Sequence, residues 1–367
     1  MYPHCRRASS PTITSGARPL RLRVTVLIAI LVVVSVTAAV EDAQAGGRAE
    51  EEPSRPAVRV AYAGEADAEE NFAHALATEL ERAVEEGTGG RVGVSLFPEG
   101  QLGDPRERLE PGAAEAIIEI VDGDTLRTLL PPLAAADIPF LYAGRTAAGG
   151  IFEEGPFAER IRGELSDALG VALLAVVVTD GGGGVSNSVR PLRSPADFES
   201  VSFAVSSPGD AAVVEAFGAQ AEIVQSGGPS GTAGPVLSGD ADGWVGPADE
   251  LVEVGLSEQL AYRTDLELRF SRLYVLAPEA WLAGLESEDA TAVRQAARGA
   301  AESIRSAVDA RLARRREALE AAGISVYEPS DAERSEFARL GRPAYIDRLE
   351  EEVGLEWIIT ALESSEE

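Results

Sequence analysis

Short apolar runs rich in β-branched residues alternate along this chain with amphipathic stretches, and that alternation restricts it to layered α/β architectures. Residues 58–62 alternate as a strand. Residues 69–86 then place Phe72, Leu76, Leu80 and Val84 at four-residue steps, the spacing of a helix that buries one face. Thr88, Gly89 and Gly90 stop that helix, residues 91–97 supply the next strand, and a turn at Pro98, Glu99 and Gly100 leads into another helical stretch. The runs 117–121 and 171–178 are apolar without alternation, as in strands covered on both faces, and are expected as central strands. Past the glycine-rich residues 181–184, a strand at 201–205 follows the Pro195-Ala196-Asp197-Phe198 turn and belongs to a second lobe; a further glycine-rich stretch lies at 226–234. A strand returns at 273–276.

Ser287 is placed to cap a helix whose first turn carries Glu288 and Asp289, favourable at the positive helix end. Val293, Ala297, Ala300, Ile304, Val308 and Leu312 follow at three- and four-residue steps until Gly323 closes the run. A single helix of about 35 residues would be about 50 Å long, which is more than one lobe needs, so it is expected to brace both. The 367 residues suffice for two medium cores.

Acidic residues number 61 against 32 basic ones, and every basic group apart from two histidines is an arginine. Nucleic acid is excluded as a partner, because phosphate binding needs a basic face. The charge itself is read as a solubility device, suited to a salty habitat. At the N-terminus, Arg6, Arg7, Arg18, Arg21 and Arg23 precede an apolar run over 24–40, and Ala43-Gln44-Ala45 offers a small-x-small cleavage site. Residues 1–45 are therefore expected to be an export signal, with an uncleaved membrane anchor as the alternative. Residues 46–56 are expected to be a flexible leader. The body of the chain then lies outside the cytoplasm, in the periplasm or its equivalent.

Little in the sequence supports catalysis. Cys5 is the sole cysteine and leaves with the signal, so no disulfide is expected and Cys-His nucleophilic chemistry is excluded. A Ser-His-Asp site would have to use His74, which sits beside Phe72 and Leu76 and is read as a structural side chain. No metal-ligand spacing of His and Cys exists, and Gly181 to Gly184 lack the Lys-Ser/Thr of a phosphate loop, so neither metal nor cofactor is expected. Asp240 and Asp242 form one of many acidic pairs that chance alone supplies.

Several segments together resemble one family. Thr88-Gly89-Gly90-Arg91-Val92, then Phe97-Pro98-Glu99-Gly100-Gln101-Leu102-Gly103, then Asp137-Ile138-Pro139-Phe140-Leu141-Tyr142 are similar, in order and spacing, to the first lobe of DctP-type solute-binding proteins of TRAP (tripartite ATP-independent periplasmic) transporters. Ser186-Asn187-Ser188-Val189-Arg190-Pro191, Phe217-Gly218-Ala219 and Gly239-Asp240-Ala241-Asp242-Gly243 continue the likeness, which covers residue 58 to about residue 362. The resemblance implies a two-lobed, periplasmic-binding-protein-like α/β fold with a strand hinge and a long C-terminal bracing helix. Lobe I would take 57–177 plus 266–306, and lobe II 178–265 plus 307–367. It further implies binding of a small molecule in the interlobe cleft, delivery to TRAP membrane subunits, and no covalent chemistry.

The family pattern fails at the ligand. Members of the family often carry an arginine in the strand after the Asp-Phe turn, a second arginine four residues before the Asn of the Asn-Ser pair, and an asparagine before the proline after Asp-Gly. Those positions are Ala204, Gly183 and Gly246 here. Without a guanidinium fork, a carboxylate loses its charge-assisted hydrogen bonds. The residues expected to line the cleft are Tyr62, Glu65, Asp67, Gln101, Asp122, Tyr142, Ala204, Ser206, Trp244 and Gly246, the last four by alignment to the family pattern. Their acids and aromatics, with Asp124, favour a neutral or cationic ligand over a dicarboxylate. The alternative is a degenerate paralogue whose cleft has decayed, acting as a scaffold or sensor-presenting protein.

Overall fold

A computed structural model of the chain describes residues 57–69, 71–110, 116–224 and 228–365. The expected signal and leader fall outside the described residues. Eleven strands are described: β1 (Ala57–Tyr62), β2 (Gly93–Phe97), β3 (Ile117–Asp122), β4 (Val171–Val178), β5 (Gly184–Asn187), β6 (Ser202–Val205), β7 (Gln220–Ile223), β8 (Gly243–Gly246), β9 (Tyr262–Thr264), β10 (Arg272–Pro278) and β11 (Ser325–Tyr327). The helices used below are α1 (Phe72–Gly87), α2 (Gly123–Leu129), α3 (Pro156–Leu169), α4 (Pro208–Ala216), α5 (Ser287–Ser303), α6 (Arg305–Ala321), α7 (Asp331–Val353) and α8 (Leu355–Ser364).

The strands form two sheets, ordered β2-β1-β3-β10-β4 and β11-β9-β5-β8-β6-β7. In the first, β1 runs parallel to β2 and β3, and β10 runs antiparallel between β3 and β4. In the second, β8, β6 and β7 are parallel while β5 is antiparallel to both β8 and β9. Each sheet nucleates one lobe. The chain crosses from the first to the second between β4 and β5, and returns between β9 and β10.

Local chemistry accounts for the first unit. Asn71 caps α1 by accepting from the backbone N–H of Ala73 at 3.0 Å, and the helix buries Leu76, Leu80 and Val84 as the four-residue spacing demands. Thr88 returns its hydroxyl to the carbonyl of Val84 at 2.7 Å. Gly89 and Gly90 then turn the chain with φ of 60° and 74°, a region open to glycine at no steric cost.

Three expectations need correction. β4 lies at the edge of its sheet and not in the centre. Its unbroken apolar run reflects cover on both faces: Val171 and Val178 join a cluster with α3 residues Ile161 and Leu165, while Ala172, Leu174 and Val177 join another with α5 residues Val293 and Ala297. The long brace is likewise two helices of 17 residues, α5 and α6, separated at Ile304. Glu286, not Ser287, occupies the capping position and its side chain makes no cap. The apolar stripe runs through the break, with Ile304 and Val308 both buried. Its two halves serve different surfaces, α5 packing on α1 and β4, and α6 on β11 and the helix Ala248–Glu253. The brace thus reaches both sheets, as a jointed pair.

A second tie comes from α7, which packs against α4 beside the second sheet and against the turn Pro131–Asp137 beside the first. Phe337 on α7 is fully buried against Phe198 and Phe217, with ring centroids 5.8 and 5.2 Å away. Gly209, at the start of α4, lets Tyr345 of α7 come so close that a Cβ there would sit 2.5 Å from its ring.

Candidate functional site

In α/β sheets, ligands lie beyond the carboxyl ends of the strands, and here three such ends converge on one cavity of about 330 Å³. β3 ends at Asp122, β6 leads into Ser206, and β8 ends at Gly246; the connection from β9 to β10 supplies Leu268 to Arg272. Both lobes therefore contribute walls.

Six acids face this cavity, Asp122, Asp124, Asp137, Asp180, Asp210 and Glu250, against two arginines, Arg269 and Arg272. Most of the acids have structural work. Asp122 caps α2, accepting from the Thr125 backbone N–H at 2.7 Å and its hydroxyl at 2.9 Å. Asp137 accepts from Arg272 Nη1 at 2.8 Å and Arg127 Nη1 at 2.9 Å, while Asp124 pairs with Arg127. Asp180 is buried and accepts the backbone N–H groups of Gly182 and Ser271, each at 3.0 Å, which ties the two crossing segments together.

The arginines differ in what they have left to give. Arg272 is 2 % exposed and its donors are occupied by Asp137 and by the carbonyls of Ala148, Phe270 and Ala136. Arg269 is 26 % exposed. Its Nη2 donates to Ser206 Oγ at 3.2 Å and lies 3.3 Å from Asp210 Oδ2, which also accepts from the hydroxyls of Ser206 and Ser207. The charge of Asp210 pushes the Arg269 pKa up, so the guanidinium stays protonated. Tyr274 also lines the cavity, and burial holds its phenol well above the ordinary range, hence neutral.

Of the ten residues expected at the cleft, Asp122, Ser206, Trp244 and Gly246 line the cavity. Ala204 is fully buried in the second lobe, paired in register with Trp244. Trp244 is 1 % exposed, donates its indole N–H to Thr232 Oγ1 at 3.0 Å, and lies so close over Gly246 that a Cβ there would fall 2.2 Å from the ring. Beside that indole a small side chain is what fits at 204. Tyr62 is buried with its hydroxyl 2.5 Å from Nδ1 of His74, and Tyr142 is buried with its hydroxyl donated to the carbonyl of Ala136 at 3.0 Å. Glu65, Asp67 and Gln101 are exposed on loops away from the cavity wall.

Arg269, Arg272, Asp137, Asp210 and Tyr274 were not anticipated. Arg269 and Arg272 did leave one trace, as two cations just before the returning strand of an acidic chain.

Two α/β lobes, joined by two crossing segments and facing each other over a polar cavity at the strand ends, define a two-lobed binding protein. The chain belongs to the bacterial extracellular solute-binding proteins of family 7, DctP, whose profile matches residues 63–352. A solute-binding protein of Roseobacter denitrificans is 25% identical over 292 residues, covering 78% of this chain and 85% of the relative. Among solved structures, a TRAP periplasmic solute-binding protein from Rhodobacter sphaeroides in an apo open form has a TM-score of 0.75 at 17% identity, over 84% of this chain and 98% of that one. Another from Roseobacter denitrificans, holding β-D-glucuronate, has a TM-score of 0.66 at 20% identity, over 83% and 98%.

Proposed function

We propose that this cleft takes a small solute of net zero or positive charge, in preference to a dicarboxylate, and that the protein delivers it to TRAP membrane subunits. The observation that carries this reading is the wall itself, where six carboxylates face the cavity against two guanidiniums. In a partly desolvated site a dianion meets that excess unfavourably, whereas an amine, a quaternary ammonium or a hydroxylated neutral molecule does not. The Roseobacter relative holds an acid, glucuronate; the positions of the family's arginines and asparagine, Gly183, Ala204 and Gly246, carry no such groups here. A cavity of about 330 Å³ with a polar lining speaks for a working cleft and against a decayed one. Binding and release without covalent chemistry, and export by residues 1–45, complete the reading.

Calorimetric titration decides it. The expected result is measurable binding of amines, betaines or polyols and none of succinate or glucuronate. Tight binding of simple dicarboxylates with indifference to amines and polyols would overturn the preference.

A further inference from the structure

Two aspects of the cavity wall pull in opposite directions. Its net charge is strongly negative, yet it presents one cation with unused donors. Arg272 is 2 % exposed and gives four of its five N–H groups to Asp137 and three carbonyls. Arg263, behind the wall, is fully buried, and its Nη2 is sealed by Gly184, where a Cβ would lie 2.9 Å from it. Arg269 alone combines exposure to the cavity with free valence: Nη2 is held by Ser206 and Asp210, and its Nε and Nη1 have no acceptor among the described residues. The Tyr274 hydroxyl, also on the wall, has no hydrogen-bond partner among the described residues either.

We infer that Arg269 is the ligand-anchoring residue of this cleft and that the ligand is a zwitterion, one carboxylate on the Arg269 guanidinium and a cationic group facing the acidic wall. The inference rests on the proposed net-neutral or cationic preference and narrows it. A guanidinium braced on one nitrogen is held in orientation while its remaining N–H groups point their donor capacity at solvent, and a carboxylate is the acceptor that matches such a planar donor best. A carboxylate alone would add a seventh negative charge to a wall whose six are offset only by Arg269, Arg272 and, through its pairs with Asp124 and Asp137, Arg127. The ligand must therefore bring its own positive charge, as an amino acid or a betaine does. The volume fits this class: about 330 Å³ lies at the small end of the range of ligand pockets, about 300–1,000 Å³. Ser206 and Asp210 act as positioning residues for Arg269.

The test titrates the full protein with three sets of probes. The first is zwitterions, namely glycine betaine, proline betaine, L-proline and L-glutamine. The second is their carboxylate-free counterparts, choline and L-prolinamide. The third is glycerol and myo-inositol. The expected result is binding confined to the zwitterions, weakened about 10- to 100-fold by Arg269→Gln and less by Arg269→Lys. Unchanged melting temperatures in both variants separate loss of binding from loss of fold, and a conservative Lys that rescues part of the affinity separates anchoring from packing. Equal binding of choline and glycine betaine, or zwitterion binding undiminished in Arg269→Gln, overturns the anchor while leaving a cationic-ligand cleft standing. Binding of the polyols alone overturns the zwitterion and leaves the neutral-ligand reading. Binding of no probe in any set overturns the zwitterion and counts against the net-charge preference as well.

Discussion

Arg272 and Asp137 meet at 2.8 Å beneath the cavity, the arginine at the start of β10 and the aspartate at the end of the turn Pro131–Asp137. Arg127 shares the same carboxylate from the other side at 2.9 Å. Between them the three residues join β10, α2 and the turn into one unit, and the guanidinium of Arg272 lies 5.5 and 5.4 Å from the ring centroids of Tyr142 and Phe152. The pair is structural, because Arg272 is 2 % exposed and donates to Asp137 and three backbone carbonyls.

Asp137→Asn therefore leaves a buried guanidinium without its counter-charge. The expected loss is about 3–5 kcal/mol of unfolding free energy, the range for breaking a buried pair by removing one partner. Urea denaturation measures it, and a loss under about 1 kcal/mol would show that water or backbone carbonyls already compensate Arg272.

Phe337→Ala empties the centre of the aromatic cluster formed with Phe198 and Phe217. The expected cost is about 3–5 kcal/mol. Since α7 packs on elements of both lobes, a single cooperative transition at lower denaturant is expected in place of two separated ones.

Gly246→Ala tests the indole's position. Its methyl group would fall 2.2 Å from Cη2 of Trp244, a contact that forces the ring to move. Overpacking of this kind costs about 1–3 kcal/mol. The double variant Gly246→Ala/Trp244→Phe should recover part of that loss, because the smaller ring clears the methyl; a double variant no more stable than the single one would place the strain elsewhere.

Glu333 gives a pH signature. Its carboxylate accepts from the Ser330 hydroxyl at 2.6 Å, from the Tyr327 hydroxyl at 2.5 Å and from the Ser330 backbone at 2.8 Å, and these bonds hold its pKa down to about 2. A carboxyl whose folded value lies below its ordinary 4.5 stabilises the fold above that ordinary value. That contribution fades as pH falls from about 4.5 to about 2. Glu333→Gln should flatten this part of the melting-temperature profile between pH 5 and 2 relative to wild type; parallel profiles would contradict the assignment.

What could be read from the sequence was whatever neighbours along the chain decide. The glycine stop of α1 and the division into two lobes follow from short-range patterns and turn chemistry. Membership of the solute-binding family followed from collinear motifs. Sheet order did not, because an apolar run such as β4 looks the same at an edge covered by helices as in a sheet centre. The joint at Ile304 was hidden since the apolar stripe continues through it. Arg269 escaped for a different reason: its role comes from Ser206 and Asp210, some sixty residues away, and from an acidic wall assembled out of both lobes. The arginines a family reader looks for were absent, and nothing in a linear pattern says that another one has come in from the connection between β9 and β10.

The place of β10 has a consequence for the order in which this protein can become itself. Because β10 lies between β3 and β4, the first sheet stays split until residue 278 has been made available. Five of the six strands of the second sheet, β5 to β9, are synthesised before the first sheet can be finished. Folds closed by such distant segments form slowly.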